Sequence, residues 1–136
     1  MTSQRVTVEY EDDTFRCGDG RFSLDLGWYE SGLTPVTALL MATGACSLMD
    51  VVVILRKRKV EHRVLRVEVE AERAKDPNRL TRFHLRFVSD APVNEMERAV
   101  RLSLDRYCTV VNTLRGVAEV THEIVRTGSD VQRQTG

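Results

Sequence analysis

The stretch TPVTALLMATGACSLMDVVVILRKRK, Thr34–Lys59, decides the fold. Thr34 reads as a helix N-cap and Pro35 as the first helical residue. About twenty residues follow with Gly44 as the sole breaker. Leu39, Leu40, Met41, Leu48, Met49 and the run Val51–Leu55 cover nearly every direction around the axis. A helix apolar on all sides is enclosed by protein or by lipid. Thr43, Ser47 and above all Asp50 make lipid costly, and no second span accompanies it, so the helix is expected at the centre of a protein core. The terminal Arg56-Lys57-Arg58-Lys59 complements the negative end of the helix dipole and reads as a solvated terminus.

Working outward, the N-terminal side alternates. Val6, Val8 and Tyr10 oppose Thr7 and Glu9, and Thr14–Cys17 returns after Glu11-Asp12-Asp13. Gly18-Asp19-Gly20 is a hairpin signal, and Phe22, Leu24 and Leu26 form a third strand. Three short strands bury too little to stand alone, so this meander must lie on something else. On the C-terminal side, Leu65, Val67, Val69 and Ala71 alternate with Arg66, Glu68, Glu70 and Glu72. Asp76-Pro77-Asn78 turns the chain. The return strand, Leu80–Val88, sets Phe83, Leu85 and Phe87 against Arg82, His84 and Arg86, which cross-strand ion pairs would satisfy.

A second helix is expected from an Asn94 cap with Glu97 completing a capping box. Met96, Val100, Leu104, Tyr107, Cys108, Val111 and Leu114 form its apolar stripe, and Gly116 ends it. Val117–Arg126 is a last strand. The order is βββ-α-ββ-α-β: an α+β fold with antiparallel sheets wrapped around two core helices.

The chain has 136 residues, enough for one core. We expect one domain over 1–128, with 1–33 as the meander, and a flexible polar tail over 129–136. Twenty basic and twenty acidic residues give zero formal charge, which speaks against nucleic acid. The start of the chain has no secretory pattern, and three cysteines without scaffold spacing fit a reducing, cytoplasmic setting. No metal-ligand spacing joins His62, His84 and His122, and no phosphate-binding loop occurs, so no cofactor is expected.

Cys46, in the middle of the first helix, and Cys108, on the stripe of the second, are the leading candidates for chemistry. Buried cysteines often serve only as small hydrophobes. Chemistry requires a thiolate, which apolar burial opposes unless a cation offsets it. Asp50, one helical turn beyond Cys46, acts against the thiolate, so an arginine from elsewhere is needed. Arg16 and Arg21, flanking the glycine turn, are the candidates; Cys17 reads as incidental.

Two motifs carry a family resemblance. Pro35 followed by Leu39-Leu40-Met41-Ala42-Thr43-Gly44-Ala45-Cys46-Ser47-Leu48-Met49-Asp50-Val51-Val52 is one; Ala99-Val100, Leu102-Ser103-Leu104 and Tyr107-Cys108-Thr109-Val110 make the other. Together they resemble the OsmC/Ohr family, and within it the small YhfA-like branch. The resemblance implies an intertwined homodimer in which each meander completes the partner's sheet. It also implies a peroxidase acting on small organic hydroperoxides. Cys46 would become a sulfenic acid, Cys108 would condense with it to a disulfide, and a thiol reductant would reset the pair. Arg21 would hold the thiolate, being preferred to Arg16 because it follows the glycine turn. The chain departs from the family where a glutamate should hold that arginine: Val36 and Thr37 occupy those positions, leaving Asp50 as a substitute. A non-catalytic member that binds a small apolar ligand or senses oxidant at the dimer interface is the other reading.

Overall fold

A computed structural model describes residues 2–127; the expected tail, 129–136, lies outside them. The chain divides into two compact units between Leu39 and Leu40.

The first unit is a three-stranded antiparallel meander of β1 (Thr7–Glu11), β2 (Thr14–Gly18) and β3 (Ser23–Leu26). Its turns follow from residue type. Asp12 and Asp13 both take positive φ, 51° and 61°, as a two-residue hairpin with the twist of its strands requires. At the second turn Gly20 has φ +96°, and the Asp19 carboxylate accepts the backbone N–H groups of Arg21 and Phe22 at 2.8 and 2.7 Å. The register places Val8, Cys17 and Leu24 in one row and Tyr10, Phe15 and Leu26 in the next. One face is therefore apolar, and Val8, Tyr10 and Leu24 on it stay exposed. Arg16 and Asp25 pair on the other face.

α1 (Pro35–Lys57) starts at Pro35, as the sequence reading has it, and ends two residues before Lys59; from Leu40 onward it belongs to the second unit. Thr34 Oγ1 accepts the Thr37 N–H at 3.2 Å, which is the expected cap. The buried face of α1 carries Thr43, Gly44, Ser47, Val51 and Leu55. Small residues at its N-terminal end let the helix lie close to a sheet of β4 (Leu65–Ala74), β5 (Arg79–Ser89) and β6 (Glu119–Arg126), in that order. Full enclosure of α1, expected from its composition, is not reached within one chain: Met41, Met49 and Val53 are exposed. By length and hydropathy α1 could cross a membrane, but its buried face is seated on protein.

Two expectations are corrected. The sheets are not antiparallel throughout: β4 and β5 pair antiparallel, but β6 runs parallel to β5. The chain between β5 and β6 makes a helical crossover that returns it to the start of β5, and such a connection delivers a parallel strand. Alternation within a strand says nothing about its direction.

The single second helix is also three pieces: α2 (Val93–Leu102), a π turn (Ser103–Tyr107) and α3 (Thr109–Leu114). α2 starts at Val93 behind Pro92, with no side-chain cap, so neither Asn94 nor a capping box sets its start. Proline's fixed φ supplies the entry geometry. α3 stops at Leu114, with Arg115 rather than Gly116 closing it.

The core joins Val51 and Leu55 of α1 to Phe83, Leu85 and Phe87 of β5 and to Met96 and Val100 of α2. On the outer face of the sheet the expected ion pairs form and extend to β6. Arg86 reaches Glu68 at 2.8 Å, and His84 bridges Thr121 and Glu123 at 2.7 and 2.6 Å.

Candidate active site

Cys46 is half-buried on α1, and Asp50 follows it by one turn on the same side. The opposing wall comes from the segment leading into α3. After α2 the chain takes a π turn closed by the Cys108 N–H donating to the Ser103 carbonyl at 2.8 Å. Cys108 then leaves the helix with φ −76° and ψ 104° and caps α3, its Sγ accepting the Val111 N–H at 3.4 Å. π turns inside helices recur at functional sites. Here the turn changes which residues face inward: Cys108 is fully buried, whereas Tyr107, assigned to the same stripe, is 53% exposed.

The result is that the two candidate thiols, sixty-two positions apart in sequence, become neighbours: Cys46 packs against the buried cluster that contains Cys108 and acts on its ionisation. Ser103 fixes the surroundings. Its buried Oγ lies 2.9 Å from Asp50 Oδ2 and 3.1 Å from the Ser47 carbonyl, so its single proton ties the π turn to α1 at two acceptors. Ser47 turns its own hydroxyl back to the carbonyls of Thr43 and Gly44.

Sequence reading quoted Ser103 but gave it no role. The signal was present: it stands three residues after Val100, on the buried stripe, where a hydroxyl must find a partner.

The electrostatics of this unit favour thiol over thiolate. Burial pushes the Cys108 thiol up to about 11. The Val111 N–H opposes this, while Cys46 and the negative charge of Asp50 push further up. Two thiols thus stand beside a carboxylate, with Cys108 held in its neutral form, and a thiolate here needs a cation to offset burial and charge. Arg21 stands in the β2–β3 hairpin of the first unit, its guanidinium 4.9 Å above the Phe22 ring. Arg16 is engaged with Asp25 at 3.3 Å. Cys17 is on the apolar face of the meander, its Sγ 3.7 Å from the Phe15 carbonyl. Among the described residues, no group of three His, Cys, Asp or Glu is placed to hold a metal.

The matching relatives share this architecture. The sequence model for OsmC-like protein matches residues 29–123, which includes both cysteines and Asp50. The chain belongs to the OsmC-like family. Protein YhfA of Escherichia coli K12 is 36% identical over 93 residues, 65% of this chain and 69% of that protein. Among solved structures, the OsmC-like protein from Mycoplasma pneumoniae superposes with a TM-score of 0.81 at 19% identity, over 93% of this chain and 99% of that one. The organic hydroperoxide resistance protein OhrB of Bacillus subtilis gives 0.65 at 13% identity, over 91% and 98%. At these identities the structural likenesses establish the OsmC-like fold and nothing further.

Proposed function

We propose that the protein is a thiol-dependent peroxidase that reduces organic hydroperoxides. The observation that carries the reading is the meeting of Cys46 and Cys108 in one sheltered place. Cys46 thiolate attacks the terminal peroxide oxygen, the O–O bond breaks, and the alkoxide leaves as alcohol after taking a proton. The Cys108 sulfur then attacks the Cys46 sulfenic sulfur, forming a disulfide and releasing water. Two equivalents of an external thiol restore the pair. Arg21 supplies the cation that offsets burial and the nearby carboxylate.

The working unit in this reading is an intertwined homodimer in the cytoplasm. The apolar face of the meander, with Val8, Tyr10 and Leu24 uncovered, and the Met41, Met49 and Val53 side of α1 are surfaces that a second copy would bury. A reducing compartment fits three free thiols.

Titration of free thiols before and after one equivalent of cumene hydroperoxide tests the chemistry. The three thiols should fall rapidly to one, Cys46→Ser should abolish the loss, and Cys108→Ser should leave a sulfenic acid that dimedone traps. Unchanged turnover in the Cys46 variant removes the proposal.

A second reading is favoured by a specific observation. The carboxylate at the thiols is Asp50, and Val36 and Thr37 stand where the arginine-holding glutamate is expected. A family member so built could bind an apolar ligand or sense oxidant without turning over. Slow, non-saturating thiol loss would select it.

A further inference from the structure

Ser103 is fully buried and bonded in two directions. Its carbonyl accepts the Cys108 N–H at 2.8 Å and closes the π turn. Its hydroxyl lies 2.9 Å from Asp50 Oδ2 and 3.1 Å from the Ser47 carbonyl. Ser47 and Asp50 stand one and four positions after Cys46 on α1. Ser103 therefore joins the backbone of Cys108 to the stretch of α1 that carries Cys46.

Other polar groups of the turn are held from α3. Asn112 Nδ2 donates to the Arg106 carbonyl at 3.0 Å, and Arg115 Nη2 donates to the Leu104 carbonyl at 3.0 Å. Cys108 Sγ accepts the Val111 N–H. The π turn and α3 thus form a block braced by its own side chains. What sets the rotation of that block against Cys46 is its seat on α1. Part of the seat is apolar: Leu104 and Val111 share the buried cluster with Val51 and Leu55. Apolar contact has no direction, whereas a hydroxyl aimed at fixed acceptors does. A buried hydroxyl is costly without a partner, and alanine would need none.

We infer that Ser103 is a positioning residue for disulfide closure: it latches the π turn to α1 so that Cys108 Sγ is presented to the sulfur of Cys46. The peroxide step consumes Cys46 and leaves Cys108 untouched, so the latch bears on the second step alone. There the Cys108 sulfur bonds to the Cys46 sulfenic sulfur and the S–O bond breaks. The oxygen leaves as water, carrying its own proton and that of Cys108. When closure is slow, a second hydroperoxide transfers an oxygen to the waiting sulfenic acid and departs as alcohol. Cys46 then ends as a sulfinic acid, which thiols do not reduce. This last consequence rests on the peroxidase reading; the latch itself does not.

Two oxidants separate the proposals. Diamide takes up the two thiol hydrogens and closes the disulfide without peroxide. With diamide, Ser103→Ala should form the Cys46–Cys108 bond about tenfold more slowly than wild type, and Asp50→Asn, which keeps an oxygen acceptor and drops the charge, should stay within about twofold. Val88→Ala, which thins the buried packing on the opposite face of β5, should close at the wild-type rate. With cumene hydroperoxide, Ser103→Ala should form its sulfenic acid at the wild-type rate but accumulate Cys46 sulfinic acid, read by mass spectrometry, at several-fold lower peroxide. Wild-type closure in Ser103→Ala, equal slowing in Val88→Ala, or Asp50→Asn as slow as Ser103→Ala overturns the inference. Should Ser103→Ala not fold, Asp50→Ala against Asp50→Asn makes the comparison: Asp50→Ala should be the slower, and equal rates overturn the latch. Ser103-dependent closure by diamide without any response to hydroperoxide keeps the latch and removes the peroxidase; peroxide turnover with closure independent of Ser103 does the reverse.

Discussion

Replacing Gly44 with alanine tests the closeness of α1 to the sheet, on which the position of Cys46 depends. A β-carbon at residue 44 would lie 2.9 Å from Val69 Cγ2 and 3.2 Å from Val67 Cγ1. Both partners are methyl groups on β-branched side chains, which cannot swing away at χ1 without strain. The helix or strand β4 must therefore shift. Two effects compete. Alanine is favoured over glycine within a helix by about 1 kcal/mol, and overpacking a fitted contact costs about 1–3 kcal/mol. The contact wins by a net loss of about 1 kcal/mol, lowering the melting temperature by about 3–5 °C. Gly44→Val, with two further carbons directed at the same valines, should lose about 3 kcal/mol. Urea titration followed by circular dichroism measures both. Because Cys46 is two residues along the same rigid helix, diamide-driven coupling of Cys46 to Cys108 should also slow in Gly44→Ala. An alanine variant that is about 1 kcal/mol more stable than wild type would mean that helix propensity acts alone, and the close approach argued here would be refuted.

Other outcomes follow from the site. Ser103→Ala leaves the Asp50 carboxylate without its hydroxyl donor and should destabilise the chain by about 1–2 kcal/mol; in an Asp50→Asn background, the measured cost by denaturation should shrink. Raising the pH should weaken the fold in a defined window. The unfolded Cys108 thiol ionises near 9, while the folded chain holds its proton to about 11. Between those values the unfolded state binds fewer protons, so stability falls as pH rises, by about 2–3 kcal/mol. Cys108→Ser should lack that fall in pH-dependent urea unfolding. Met49, 68% exposed on α1, is on the surface assigned to a second copy, and Met49→Glu should convert a dimer to a monomer in light scattering after gel filtration.

Much of this fold could be read from residue patterns because its determinants are local. The Thr34 cap, the Pro35 start and the apolar run define α1 within single helical turns, and clean alternation defines β4 and β5. The Asp19 turn and the outer ion pairs were likewise visible from short-range chemistry. What escaped depends on phase and direction. A constant period of 3.6 carried through residues 93–115 puts Tyr107 and Cys108 on one buried stripe. The π turn breaks that count, exposing Tyr107 and burying Cys108 at the head of α3. Strand direction in β6 depends on a crossover that no strand residue encodes. Of the candidate site, sequence named both cysteines, Asp50 and Arg21, and the fold makes neighbours of Cys46, Cys108 and Asp50; Ser103, whose partners lie more than fifty residues away, had no role until α1 and the π turn were seen together.

The π turn has an implication for how the thiol pair is lined up. One residue subtends about 100° of an α-helix. The bond from the Cys108 N–H to the Ser103 carbonyl closes over five residues where an α-helix closes over four, so the wide turn absorbs one extra residue and keeps Cys108 on the side facing Cys46. Wound as regular α-helix, the same residues would swing Cys108 about 100° past that position, so the wide turn lets this spacing and the thiol pairing coexist.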